Sequence, residues 1–272
     1  MEKSLLENEP LIRISFFLGL FFLFSLWELL YPNHNLKYKK TIRWTFNLLL
    51  VFLNSAIVRV LFCLSAVGVS VYTIKNQMGL LNILTIPNSI KFLIGFIFLD
   101  LVIYLQHRLF HKVPLFWRFH RMHHIDLDLD ITSGIRFHPF EILISTLIKY
   151  FAILLSGVSP FTVLVFEIVL NGMSMFNHSN IWISQETERY LRRFLVTPSL
   201  HRIHHSILSD EHHSNFGFNF SIWDFIFRTI KKESIGEIIF GLREFQDLKY
   251  SRLDWMLLIP FLKLSQRKSD SE

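Results

Sequence analysis

The sequence contains one cysteine in 272 residues, Cys63, which rules out a disulfide framework, a cysteine-held iron–sulfur cluster and a zinc ribbon. It also lacks a glycine-rich dinucleotide fingerprint, so no site for a nicotinamide or flavin cofactor is readable. Long-period repeats, low-complexity tracts and disordered linkers are missing as well. A His-Glu-x-x-His helix is absent too. Arg108-Leu109-Phe110 separates His107 from His111, and Arg202-Ile203 separates His201 from His204, so no glutamate base of the metalloprotease kind stands between histidines.

What the chain has in abundance is apolar sequence: 51% of residues, 29 phenylalanines and a mean hydropathy of +0.37. Residues 11–31 form a nearly unbroken run of about the 20 residues that cross a bilayer core. Residues 47–71 give a second span and residues 90–105 a shorter third. Residues 142–176 are too many for one crossing and are punctuated by Gly157, Ser159 and Pro160, which predicts two helices joined by a tight turn, full-length or re-entrant. The first run exceeds a signal-peptide core and no small-residue cleavage site follows it, so a retained helix is expected. The fold class is therefore all-α: an integral membrane helical bundle with a histidine-rich helical cap.

Charge sets the expected orientation. Lys37, Lys39, Lys40 and Arg43 cluster between the first two spans, whereas residues 1–10 hold three glutamates and one lysine, so the cluster is expected in the cytoplasm. Counting crossings then puts the histidine segments on the same side. The expected organisation is N-terminal transmembrane helices over 1–99, a catalytic segment over 100–240 containing the hairpin, and an interfacial segment and tail over 241–272. Within the last, residues 255–262 are apolar but short and contain Pro260, and the chain after Leu264 is expected to fray. The net charge of +6 fits a solvated face near anionic lipid headgroups, and the number of spans argues against a nucleic-acid partner.

Ten of the 13 histidines lie in two windows, His107 to His124 and His201 to His213. His107 and His111 are four apart, and the spacing of His120, His123 and His124 recurs as His201, His204 and His205. Residues three and four apart share a helix face, so each group is expected to converge. Neutral imidazoles suit iron, zinc, copper or nickel. Eight such histidines overfill one ion, so two metals are expected. A metal transporter would want its ligands near the bilayer midplane on broken helices, whereas these histidines fall at the ends of the apolar runs.

The ordered motifs resemble a known superfamily. DLVIYLQHRLFH at 100–111, WRFHRMHH at 117–124, RFHPFE at 136–141, NHSN at 177–180, TPSLHRIHH at 197–205 and SNFGFNFSIWD at 214–224 are similar to the fatty acid hydroxylase and sterol desaturase superfamily. The resemblance implies a membrane-bound oxygenase with two histidine-held irons. Position by position it carries over His107, His111, His120, His123, His124, His201, His204 and His205 as ligands, and adds His178. His138 is implied as a tenth ligand or a supporting residue, with His213, Asp100, Glu141 and Asp224 as further supporting candidates; His212 borders the site, and His34 has no role. After Trp223-Asp224, relatives often have an arginine and later a glycine before threonine, where this chain has Phe225 and Arg228.

The implied chemistry is dioxygen-dependent attack on a lipid C–H bond of a fatty acyl, sterol or related lipid, with hydroxylation as the default and desaturation or demethylation as alternatives. Electrons must come from a separate ferredoxin- or cytochrome b5-type carrier with its reductase. A bacterial cytoplasmic membrane is favoured over the endoplasmic reticulum.

Overall fold

A computed structural model describes residues 8–263, so the tail expected to fray lies outside the described residues. Among the described residues the chain is helical, with only isolated β-bridges. Five segments are long and apolar enough to cross a membrane. The first is α1 (Glu9–Leu30) and the second begins with α2 (Lys40–Leu61). The expected second span over 47–71 is corrected here: the helix starts seven residues earlier and stops at Leu61. The chain restarts at Ser65, whose side chain accepts from Gly68 N–H at 3.1 Å and so caps α3 (Ala66–Lys75). A single turn, α4 (Leu80–Ile83), follows.

The third span, α5 (Asn88–Lys112), is longer than its apolar core predicted and carries His107 and His111 in its last turns. A sharp break at Val113-Pro114 leads into the short cap helix α6 (Pro114–His124). The hairpin is α7 (Pro139–Ser156) and α8 (Pro160–His178), each with a proline at its first position, where the missing N–H costs nothing. Gly157 closes α7 in the left-handed region at φ +70°, and Ser159 caps α8 by accepting from Thr162 N–H at 3.2 Å. A Cβ on Gly79 would sit 2.2 Å from the backbone nitrogen of Gly157, so two glycines let the α3–α4 loop press onto the hairpin turn.

Short helices complete the cap: α9 (Gln185–Leu191), α10 (Pro198–His204), α11 (Ser209–His212) and α12 (Ile222–Ile226). The segment expected on the interface is α13 (Leu253–Leu258) with a following single turn, Ile259–Phe261. One apolar core joins α3, α5, α7 and α8 through Leu99, Ile153, Val163 and Phe166. A second, around Leu50, Met122, Met256 and Ile259, glues α13 onto α2 and α6. Many long apolar side chains elsewhere on the spans remain exposed, such as Phe22 at 69% and Phe52 at 73%. Facing water they would be costly; facing acyl chains they are not.

One cluster of charged residues inside the spans is paired. Glu167 of α8 accepts from Arg13 of α1 at 2.6 Å and Lys149 of α7 at 2.5 Å, tying three spans together where lone charges would be expensive. At the opposite end of the bundle Arg43, 1% exposed, grips Asp126 with two N–H donors at 3.1 and 2.9 Å and Asp130 at 2.5 Å. Arg136 lies 3.3 Å from the same Asp126. This network folds the 125–138 loop under the histidines.

Candidate metal centre

The C-terminal ends of α5 and α8, the start of α7, and α6 and α10 meet at one end of the bundle. There nine buried histidines form two adjoining groups: His107, His111, His120, His124 and His204, then His123, His178, His201 and His205. Within each group one donor nitrogen per residue lies within 4.8 Å of every other. The groups touch, with the His124 and His205 rings stacked at 4.4 Å.

The expectation that each H-x-x-H-H triad converges on one point is corrected. His120 and His124, four apart on α6, point into the five-histidine group, while His123 turns into the other. His201 and His205 pair in the four-histidine group and His204 crosses over. The reason is angular: residues four apart on a helix are separated by about 40° around its axis, whereas adjacent residues are separated by about 100°. Each triad therefore serves both groups.

The nitrogens toward the centre are turned inward by bonds on the other side of the ring. The outer Nδ1 atoms of His107, His204, His123 and His178 lie 2.8, 2.6, 3.0 and 2.7 Å from the carbonyl oxygens of Phe216, Ser214, Arg136 and Ser174. A carbonyl only accepts, so each Nδ1 carries the proton and each Nε2 presents a lone pair inward. His120 Nδ1 makes the equivalent bond to Glu141 Oε1 at 2.7 Å. Inside, Nε2 atoms face one another at 3.0 to 3.2 Å along His204, His107, His120 and His124, and at 2.9 to 3.1 Å from His178 to His201, His205 and His123. Lone pairs at that spacing repel unless a cation sits between them, and metal–imidazole bonds of about 2.1 Å bring neighbouring donors to about 3 Å. His111 has neither ring nitrogen bonded although only 5% of it is exposed. The donor set thus fits transition-metal ions.

Burial keeps these imidazoles neutral. It pushes His120 down to about 3. Burial first, and neighbouring imidazoles second, hold His123, His124, His201 and His205 well below the ordinary histidine range. His204 is lowered by burial and His107, against the opposing pull of the Ser214 carbonyl. Neutral imidazole is the metal-binding form.

The supporting candidates divide. Glu141 contacts His120 directly. Asp224 acts one step further out: its carboxylate accepts from the Phe216 and Gly217 N–H groups at 2.8 and 2.9 Å, fixing the carbonyl that orients His107. Asp100 contacts no histidine; its Oδ2 accepts from the Trp223 indole at 2.7 Å and joins α5 to α12. His138 is outside both groups. Its Nδ1 accepts from Phe140 N–H at 3.2 Å, capping α7, and its ring stacks on Phe119 and Phe140. His213 sits exposed at the rim with its ring 5.6 Å from His111, and His212 stacks on Trp117. His34 lies apart from both groups, on Phe240. Arg228 adopts the left-handed conformation, φ +56°.

Sequence reasoning missed two features. The four carbonyls that set the tautomers carry no side-chain signal. The Asp126, Asp128 and Asp130 alternation directly after His124 did carry one: Asp126 and Asp130 are answered by Arg43 and Arg136, while the Asp128 carboxylate accepts from the Lys37 and Tyr38 N–H groups.

The fatty acid hydroxylase family model matches residues 92–229, which contain all nine histidines. An ornithine lipid hydroxylase from Rhizobium tropici is 29% identical over 138 residues, 51% of this chain and 41% of the relative. Human alkylglycerol monooxygenase is 28% identical over 151 residues, 54% of this chain and 32% of the relative. Human cholesterol 25-hydroxylase is 29% identical over 143 residues, 50% and 49% respectively. The matched region thus spans less than half the length of these relatives, and no solved structure gives a significant match. With its motifs, its histidine groups and half its length inside the match, the chain belongs to the fatty acid hydroxylase family.

Proposed function

We propose that this protein is a dioxygen-dependent oxidoreductase that hydroxylates a lipid at a C–H bond, using two irons held by the nine histidines. The observation that carries the reading is the nine buried, inward-facing imidazoles in two adjoining groups. The relatives named for lipid hydroxylation support the lipid class of the substrate. Iron so held supplies dioxygen activation and hydrogen removal from unactivated carbon, chemistry beyond any side chain.

The chain's own residues bind, orient and exclude. His107, His111, His120, His124 and His204 would hold one ion, and His123, His178, His201 and His205 the other. Glu141 holds the His120 ring by its outer nitrogen, and Asp224 holds the loop behind His107. Buried Phe216 and half-buried Phe218 and Phe137 lie against the imidazoles and help to keep bulk water away.

Basic residues next to the histidine-bearing segments, such as Lys37, Lys39, Lys112 and Arg118, support a cytoplasmic position for the histidine end. Lys40 and Arg43 contribute less than the sequence implied, because Lys40 pairs with Glu28 and Arg43 is buried against aspartates. Electrons come from a separate acidic carrier docking on this basic face.

The test is lipid mass spectrometry of cells with and without the gene, alongside a His178→Ala strain. The reading expects a lipid heavier by one oxygen that requires His178. Unchanged lipids would sink it, and a lipid lighter by two hydrogens would replace hydroxylation with desaturation.

A further inference from the structure

An open cleft of about 450 Å³ leads to the five-histidine group, lined by Arg108, His111, Lys112, His213, Phe216 and Thr229. Three features separate it from an ordinary surface dent. First, its inner wall is His111, a buried imidazole with both nitrogens unbonded, so the cleft ends on the candidate metal centre itself. Second, its lining holds two basic side chains and no carboxylate. Among the described residues neither Arg108 nor Lys112 forms an ion pair, and Arg108 Nε is buried without a hydrogen-bond partner. The nearby acid, Asp224, lies within electrostatic reach of Arg108 but makes its hydrogen bonds to Phe216 N–H, Gly217 N–H and the Thr229 hydroxyl. Third, both cations belong to the last turns of the α5 span, the depth at which lipid headgroups lie.

Resting on the oxygenase reading above, we propose that this cleft receives the head of an anionic lipid, a carboxylate or phosphate gripped by Arg108 and Lys112, with the chain beyond it presented at His111. A planar guanidinium beside a mobile ammonium suits either anion. A volume of this size holds a small head and the first part of a chain rather than a whole lipid. Phe227, whose ring lies 5.7 Å from the Arg108 guanidinium, fixes the direction of that side chain.

The test uses the iron-loaded full chain in neutral-lipid nanodiscs with fluorescent cis-parinaric acid, its neutral methyl ester and an alkyl phosphate of similar length, at a pH where the acid is ionised. The acid and the alkyl phosphate should bind at least about ten-fold tighter than the ester, the scale of one hydrogen bond to a charge. Lys112→Gln should lower the preference and the Arg108→Gln/Lys112→Gln pair abolish it, with ester binding unchanged. Should the pair fail to fold, Lys112→Gln at the exposed position and Arg108→Lys, which retains charge, must still order as wild type, then Arg108→Lys, then Lys112→Gln or the reverse, all above the ester. Equal affinity for acid and ester, preference surviving both charge removals, or displacement of the probe by inorganic phosphate as readily as by alkyl phosphate would overturn the assignment. Iron and oxidised lipid without an acid preference would remove this proposal alone. An acid preference in protein that holds no iron and oxidises no lipid would instead remove the oxygenase reading on which it rests.

Discussion

At the scale of single residues, the centre depends on what lies behind each imidazole. Glu141 is the one carboxylate bonded to a group histidine among the described residues, at 2.7 Å from His120 Nδ1. Glu141→Ala should weaken metal retention by about 10- to 100-fold, the usual effect of losing such a partner, whereas Glu141→Gln keeps an acceptor and should lose less. Chelator-competition titration of the purified variants measures both, and equal retention in all three proteins would contradict the role. Arg228 makes the opposite point. Its φ of +56° costs a non-glycine residue about 1–2 kcal/mol, partly offset by the greater unfolded-state freedom of glycine. Arg228→Gly should therefore be neutral or stabilising by up to about 1 kcal/mol, read as an unchanged or slightly raised Tm. A clear fall in Tm would show that the Arg228 side chain contributes more than its backbone costs.

At the scale of elements, the loop of residues 125–138 joins α6 to α7 and carries a buried network of aspartates and arginines. Burial alone would raise Asp126, but Arg43 and Arg136 outweigh it and hold its carboxyl below the usual range. Asp126→Ala would leave the buried Arg136 guanidinium without its ion-pair partner and Arg43 with Asp130 alone, and should cost about 3–5 kcal/mol. Because the Arg136 carbonyl orients His123, the same change should loosen the four-histidine group before the other. Loss of one metal before the second in a chelator titration checks this; simultaneous loss contradicts it. The sequence made the spans legible because bilayer thickness imposes run lengths, and the helical hairpin because Gly157 and Pro160 punctuate it. The break after Leu61 was hidden, since Phe62 to Leu64 stay apolar while the chain turns. The nine histidines were legible by spacing and motif, yet their partition was not: it depends on how α6 and α10 are rotated, which tertiary packing decides. The partner of Asp100 was hidden for a similar reason, since its distance from His107 along α5 says nothing of Trp223 arriving from α12.

At the scale of the whole molecule, a membrane bundle gathers the ends of α5, α7 and α8 beneath a cap and buries nine imidazoles there. That arrangement is acid-sensitive, and the sign follows from linkage. The cap imidazoles bind protons less readily when folded than at the ordinary value of 6.5 in the unfolded chain, with His120 down at about 3. Stability of the metal-free protein is thus intact above about pH 6.5 and lost progressively as pH falls toward 3, because the unfolded chain takes up protons that the folded one refuses. Thermal unfolding of metal-free protein across that range should show a steep fall in Tm, and a flat profile would contradict neutral burial. Bound metal should raise Tm at every pH above the window, by mass action on the folded state. The most direct measurement is elemental analysis of protein purified without oxygen, with wild type beside His178→Ala and His107→Ala. Two irons per chain in wild type, with fewer than two in each variant, is the predicted result; a single zinc, or a count unchanged by either substitution, would contradict a two-iron centre.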